Sequence, residues 1–413
     1  MRYRSVLGIV LFAVFTAPAA ASAPEQTAQL TLPEAVQLAL RTNPSIRAKQ
    51  REHEATRAGE TTAGLLPNPT ASYLAEQLGS SGVSPQYTVS VSQTIETGGK
   101  RSRRVESAPR AATRVSELEF ADVRRQVIAQ VKKTFTDVLV AEAAVKLASD
   151  NLPNVDELER LTQLRVDKGE IAELELLRIQ TQRFAFERDL ADARQAVPAA
   201  KIALRAVVGP EAIDRGFNII GELAFRDVTL DRDRLLQQTL ERRPDVLAAE
   251  GGREKARADV ELARANAWWD FAPQIQYQRV GQDNTFGVGI SIPLRVFDRN
   301  QGEIERTRAG VERADHVRDA AINQARGEVE TALASVLTER DKARRLGDLY
   351  LPRAERVRAT VEFAYRRGGL SVLDLLDAQR TYRETALEHA RALGNYWSAV
   401  YQLEAAVGDS LEP

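Results

Sequence analysis

Arg366-Arg367-Gly368-Gly369-Leu370-Ser371-Val372-Leu373-Asp374-Leu375-Leu376-Asp377-Ala378-Gln379-Arg380 breaks a helical pattern with glycine and restarts a leucine-rich helix with acids in its first turns. The same sentence is written 199 residues earlier, as Asp167-Lys168-Gly169-Glu170-Ile171-Ala172-Glu173-Leu174-Glu175-Leu176-Leu177-Arg178-Ile179-Gln180-Thr181. Glycine accepts the left-handed backbone that ends a helix, and acids favour the start of the next, so each stretch predicts a helical hairpin. The chain is one architecture in two copies, repeat one over about 28–209 and repeat two over about 230–408, with tip turns at about 167–172 and 366–371.

Working outward, the repeat holds end to end. Leu40 and Pro44 match Leu240 and Pro244, Pro69 and Tyr73 match Pro273 and Tyr277, Pro153 matches Pro352, and Gly209 matches Gly408. After each tip, apolar residues step by three and four. They run from Leu176 and Ile179 to Leu204 and Val207, and from Val372 and Leu375 through His389 to Leu403 and Val407. Sustained spacing of that kind is a coiled-coil seam. Before the first tip the helical pattern runs from Arg101 to Lys168, on the order of 100 Å, and Pro153 predicts a bend matched by Pro352; Pro198 predicts a kink beyond the tip.

The period changes to two in four places, about 69–78, 86–96, 272–281 and 285–296. Tyr87, Val89, Val91, Gln93 and Ile95 alternate with Thr88, Ser90, Ser92, Thr94 and Glu96. Phe286, Val288, Ile290, Ile292 and Leu294 alternate with Gly287, Gly289, Ser291, Pro293 and Arg295. These are strands with one apolar and one polar face. Trp268, Trp269, Phe271, Tyr73 and Tyr87 near their ends suit a membrane interface.

Residues 1–23 have the charged, apolar and small-residue parts of a secretory signal, with Arg2 and Arg4 ahead of an apolar run from Val6 to Phe15. With no cysteine there are no disulfides, thiolate metal sites or lipid-modified N-terminal cysteine. Three histidines (His53, His316, His389) leave little for a soft-metal site, and no metal or other cofactor is expected. The net charge of −1 gives nothing to attract nucleic acid. No nucleophile triad or phosphate loop stands out, and an enzyme is not expected. After the leader no apolar run reaches the roughly 18 to 20 residues of a transmembrane helix, so any span must be made of strands. Four strands cannot close a barrel, and open edges in lipid leave backbone groups unpaired; sharing one barrel among identical chains removes the edges.

The doubled plan, the glycine turns and Asp374-Leu375-Leu376-Asp377-Ala378-Gln379-Arg380 resemble the outer-membrane efflux proteins of the TolC family over nearly the whole mature chain. Gly64-Leu65-Leu66-Pro67-Asn68-Pro69 and Glu96-Thr97-Gly98-Gly99-Lys100-Arg101 look like its heavy-metal resistance branch. The resemblance implies a mainly α fold with a small β part: a homotrimer with a long α-helical barrel of coiled-coil hairpins below a shared twelve-strand barrel in the outer membrane. It implies a noncatalytic exit duct for an efflux pump, with metal cations as cargo and with partners in outer-membrane lipid, a periplasmic adaptor and an inner-membrane RND-type transporter. It implies docking at the tip glycines Gly169, Gly368 and Gly369, and a periplasmic gate at Asp374 and Asp377, whose bland reading is favourable charge at a helix start. Where such proteins often carry a tip arginine two residues after the second glycine, this chain has Leu370. A duct for drugs or type I protein secretion is the near alternative. A periplasmic coiled-coil scaffold explains the helices but not the strands.

Overall fold

The computed structural model describes residues 29–79 and 81–411, except the side chains of Ser107 and Ala108; the expected leader at 1–23 lies outside the described residues. Each repeat opens with a short amphipathic helix, continues through a second helix, a β-hairpin and a long helix, and returns from its tip along another long helix. Repeat one comprises β1 (Gln29–Thr31), α1 (Leu32–Thr42), α2 (Pro44–Gly64), β2 (Thr70–Glu76), β3 (Gln86–Ser92), α3 (Lys100–Val105), α4 (Ala111–Asp167) and α5 (Glu173–Val208). The connector contributes β4 (Asn218–Ile220). Repeat two comprises α6 (Arg232–Arg242), α7 (Pro244–Asn266), β5 (Ala272–Val280), β6 (Asp283–Ser291), α8 (Gln301–Arg345), α9 (Leu351–Arg366) and α10 (Val372–Val407).

Local chemistry fixes the boundaries. Thr31 and Glu34 form a reciprocal capping box at α1. Asn43 accepts from the Ser45 and Ile46 N–H groups to start α2, and its amide donates to Val207 O, pinning α1 and α2 to the end of α5. Repeat two replaces Asn43 with Arg243, a buried guanidinium bound to Asp245, Glu328 and Ala406 O.

The long helices bury one stripe each. Val131, Phe135, Val138, Leu204 and Val208 form one core with α1, and Val329, Val336, Tyr396, Val400 and Leu403 form its counterpart with the connector. Tyr396 and Trp397 donate to the connector carbonyls of Arg226 and Ala224. His389 packs on the seam against Gly347, and burial holds its imidazole below the usual histidine range while Asp348 opposes the shift.

Each repeat carries a π turn in the helix before its tip, at different places relative to the paired prolines. The helix before the first tip is interrupted not at Pro153 but by a π turn over Glu106–Arg110, which contains Pro109. α4 and α5 run helical through Pro153 and Pro198, where each proline lacks the N–H of an interior helix bond. In repeat two the interruption is a π turn at Leu346–Tyr350, and Pro352 follows it at the second residue of α9.

The four strands form one antiparallel sheet in the order β2-β3-β5-β6, so the two repeats' hairpins lie side by side. Cross-strand rows separate two faces. One carries Tyr73, Val89, Tyr277 and Phe286 in register, then Ala71, Val91, Ile275 and Val288. The other carries Ser72, Ser90, Gln276 and Gly287, then Thr70, Ser92, Gln274 and Gly289. Phe286 and Val288 are 81% and 90% exposed, an apolar face that water does not favour. β3 ends at Ser92 rather than near 96, although backbone bonds continue past it: Gln93 N–H donates to Pro273 O, and Ile95 and Phe271 meet in an isolated bridge. β6 starts slightly earlier than its expected bound and ends at Ser291, leaving Ile292 and Leu294 exposed beyond the ladder. Among the described residues no helix is long and apolar enough to cross a membrane.

Candidate functional site

The two tips are built alike. At the first, Gly169 N–H donates to Val166 O at 2.8 Å and Glu170 N–H to Arg165 O at 2.9 Å, closing the end of α4. At the second, Gly368 N–H donates to Tyr365 O and Gly369 N–H to Ala364 O, both at 2.9 Å. These bonds satisfy carbonyls that a helix end leaves free, and they require left-handed backbone, φ +74° at Gly169 and +79° at Gly368. Space is not the reason for glycine: a Cβ at Gly169 would meet nothing within 4 Å, and one at Gly368 would meet only the tip of Arg165 at 3.6 Å.

Tertiary packing then brings the tips together. Leu158 and Ile179 from repeat one pack with Tyr365, Val372 and Leu375 from repeat two. Thr162 Oγ1 and Tyr365 Oη share a buried hydrogen bond of 2.8 Å, and the Arg165 guanidinium lies 5.6 Å from the Tyr365 ring centre. Spacing along the chain carries no signal for this contact, whose partners stand 203 residues apart. An arginine does serve this tip, but it comes from repeat one; Leu370, at the position where the resemblance expects one, lines a groove between α9 and α10.

Asp374 and Asp377 line that same groove with Leu370, Tyr350 and Val357. Asp374 also closes a capping box. Its carboxylate accepts from Ser371 N–H at 3.0 Å and Ser371 Oγ at 2.7 Å, while Asp374 N–H donates to Ser371 Oγ. The Ser371 hydroxyl and N–H hold the Asp374 carboxyl below the usual aspartate range. Asp377 accepts from Arg380 at 2.7 Å in an exposed pair. The helix-starting role is therefore present at Asp374, and both residues also line the groove between α9 and α10. Among the described residues no group of three or more His, Cys, Asp or Glu is placed to hold a metal ion.

At the other end, Glu96-Thr97-Gly98-Gly99-Lys100-Arg101 is a clasp between sheet and helices. Lys100 is buried against Asp270 at 2.6 Å, Thr97 N–H donates to Asp270 Oδ1 at 3.0 Å, and Arg104 pairs with Glu96. Gly98 has φ +64° and lies under Trp268, where a Cβ would be 2.7 Å from the Trp268 side chain. The clasp ties repeat one's β3 exit to repeat two's β5 entry.

A family model described as outer membrane efflux protein matches the chain twice, over residues 35–210 and 235–409. The cobalt-zinc-cadmium resistance protein CzcC of Cupriavidus metallidurans is 28% identical over 395 residues, covering 93% of this chain and 91% of that protein. The pyoverdine export outer membrane protein OpmQ of Pseudomonas putida is 26% identical, covering 75% and 67%. The fold superposes on the CmeC outer membrane channel of Campylobacter jejuni with a TM-score of 0.76, at 16% identity over 92% of this chain and 86% of that one.

Proposed function

From the premise that this chain belongs to the outer membrane efflux protein family, we propose that it is the trimeric exit duct of a tripartite pump, conducting metal cations passively from a periplasmic adaptor and an inner-membrane RND-type transporter to the cell exterior. The observation that carries the trimer is the sheet. It has an apolar face, a polar face and two free edges, β2 and β6. Because β2 and β5 run one way and β3 and β6 the other, β6 of one copy can pair antiparallel with β2 of the next, and three copies give twelve strands with no edge left in lipid. The helical layer is open in the same sense: α5 leaves Leu177, Phe184 and Ile202 exposed, and the opposite border leaves Tyr350, Val357 and Phe363. Cross-linking in native membranes followed by fractionation tests this. A trimer in the outer membrane is expected, and a monomer in the soluble periplasmic fraction would refute it.

In this reading the tips dock on the adaptor through the bare backbone at Gly169, Gly368 and Gly369. Gly169→Trp or Gly368→Trp forces a bulky side chain into a left-handed turn and should abolish efflux while trimers still assemble; full resistance in the double variant would reduce the tips to turns. Asp374 and Asp377, repeated around a threefold axis, form the gate's negative ring, with Arg380 offsetting part of the field. Asp374→Asn with Asp377→Asn keeps an acceptor for Ser371 and should reduce cation selectivity and block by trivalent ions in planar bilayers. The metal cargo rests on likeness to a cobalt-zinc-cadmium resistance protein; the pyoverdine export relative favours an organic cargo as the second reading. Metal sensitivity of a deletion strain, set against its pyoverdine or drug export, separates them.

A further inference from the structure

We infer that the bore of the β-barrel carries no charge of its own, so that charge selection within the barrel is confined to its outermost row; this rests on the trimeric-duct reading above. The polar face of the sheet, which the closed barrel turns inward, can be read row by row from the strand register. Thr70, Ser92, Gln274 and Gly289 form one row, Ser72, Ser90, Gln276 and Gly287 the next, and Leu74, Thr88, Gln278 and Thr285 the third. None of these twelve residues carries an ionisable side chain. Two contacts link polar groups on this face: Ser72 Oγ and Ser90 Oγ are 2.6 Å apart, and Gln274 Nε2 lies 3.5 Å from Gln276 Oε1; the Gln276 side chain also covers Gly287, where a Cβ would be 3.0 Å from its Nε2.

The fourth row differs. It holds Glu76, Gln86, Val280 and Asp283 on the same face, at the end farthest from the helices. The hairpin loops 77–85 and 281–282 that follow contain no charged residue. Arg279, one residue away on the outward face, turns its guanidinium to Gly281 O. Two carboxylates per copy thus stand at the mouth above a neutral wall. Four residues of strand separate Glu76 from Ser72, about 13 Å. With a Debye length of about 8 Å in 0.15 M salt, a mouth potential falls to roughly a fifth at the depth of Gln276. A hydrated solute of either sign, metal ion or polar organic, meets donors and acceptors there and only this residual field of the mouth.

The cysteine-free chain allows a direct test. Single variants Gln86→Cys at the mouth, Gln276→Cys in the bore and Tyr277→Cys on the outward face are reconstituted as full-length trimers in liposomes. Each is reacted with cationic trimethylammonioethyl and anionic sulfonatoethyl methanethiosulfonate, and the rate ratio is normalised to a free thiol. For a mouth potential of about one kT, the cation is favoured about sevenfold at Gln86→Cys and only about 1.5-fold at Gln276→Cys in 0.15 M salt. In 0.01 M salt, where the Debye length is about 30 Å, the Gln276→Cys ratio should rise to about fourfold, and Glu76→Gln with Asp283→Asn should abolish that rise. Tyr277→Cys should react with neither reagent. A conducting trimer whose Gln276→Cys ratio stays sevenfold or more after the mouth is neutralised would overturn the neutral bore alone. Reaction at Tyr277→Cys with none at Gln276→Cys would overturn the face assignment, and a chain that forms no conducting trimer would overturn the duct reading and this inference together.

Discussion

In the trimeric-duct reading, removing one oxygen atom, in Tyr365→Phe, should loosen the periplasmic tip. Thr162 is fully buried and Tyr365 is 4% exposed, so their shared hydrogen bond has no competing water. Phenylalanine keeps the ring in contact with Leu158, Val372 and Leu375 and under the Arg165 guanidinium, leaving the hydroxyl as the only change. The variant strands a buried Thr162 hydroxyl, which costs about 1–3 kcal/mol. If gating parts the α9–α10 hairpin from α4, that energy is lost from the closed state, and the open-to-closed ratio of each tip rises by about 5- to 150-fold. Single-channel recording of the full-length trimer measures the frequency of opening, with gel mobility confirming that the trimer is intact. Thr162→Val combined with Tyr365→Phe replaces both partners by apolar groups and should recover near-normal closure, because no polar atom is then left unpaired. Wild-type opening in Tyr365→Phe, or a double variant that opens more readily than either single one, would refute the argument.

Gly98→Ala should destabilise the barrel–helix junction by about 2–5 kcal/mol, from left-handed backbone and overpacking against Trp268 together, whereas Gly99→Ala, with the same handedness but nothing within 4 Å, should cost only about 1–2; thermal dissociation of the trimer on gels compares them. Arg243→Met leaves Asp245 and Glu328 without their cation beneath the end of α10, and a loss of about 2–4 kcal/mol is expected, moderated because both acids reach solvent; protease resistance of α10 reads it. The Asp374 carboxyl is held below its ordinary 3.8, so its capping contribution is complete above that pH and is lost as pH falls through the lower folded value. The start of α10 should therefore keep its protease resistance down to about pH 4, and a loss between pH 7 and 5 would contradict the Ser371 bonds.

The sequence alone determined whatever depends on neighbours along the chain. Glycine at Gly169 and Gly368 ends helices because the left-handed turn needs no distant partner, and Asn43 starts α2 through its own side chain. The alternation Tyr87, Val89, Val91 marks an apolar face because side chains on a strand point to opposite sides by geometry. The tertiary structure decided what those faces meet. Alternation is the same in any strand order, so only the fold set β3 beside β5 and left β2 and β6 as the free edges. Periodicity marked Leu375 as core but could not name Leu158 and Ile179 as its neighbours, nor Thr162 as the partner of Tyr365. Glu96-Thr97-Gly98-Gly99-Lys100-Arg101 was legible as a motif, yet its purpose lay in Asp270 and Trp268 of the other repeat. Local backbone preferences act over three or four residues and are written in the residues themselves. Contacts between the repeats depend on where two long helices place side chains some 200 positions apart, and that placement is set only when their seams have packed.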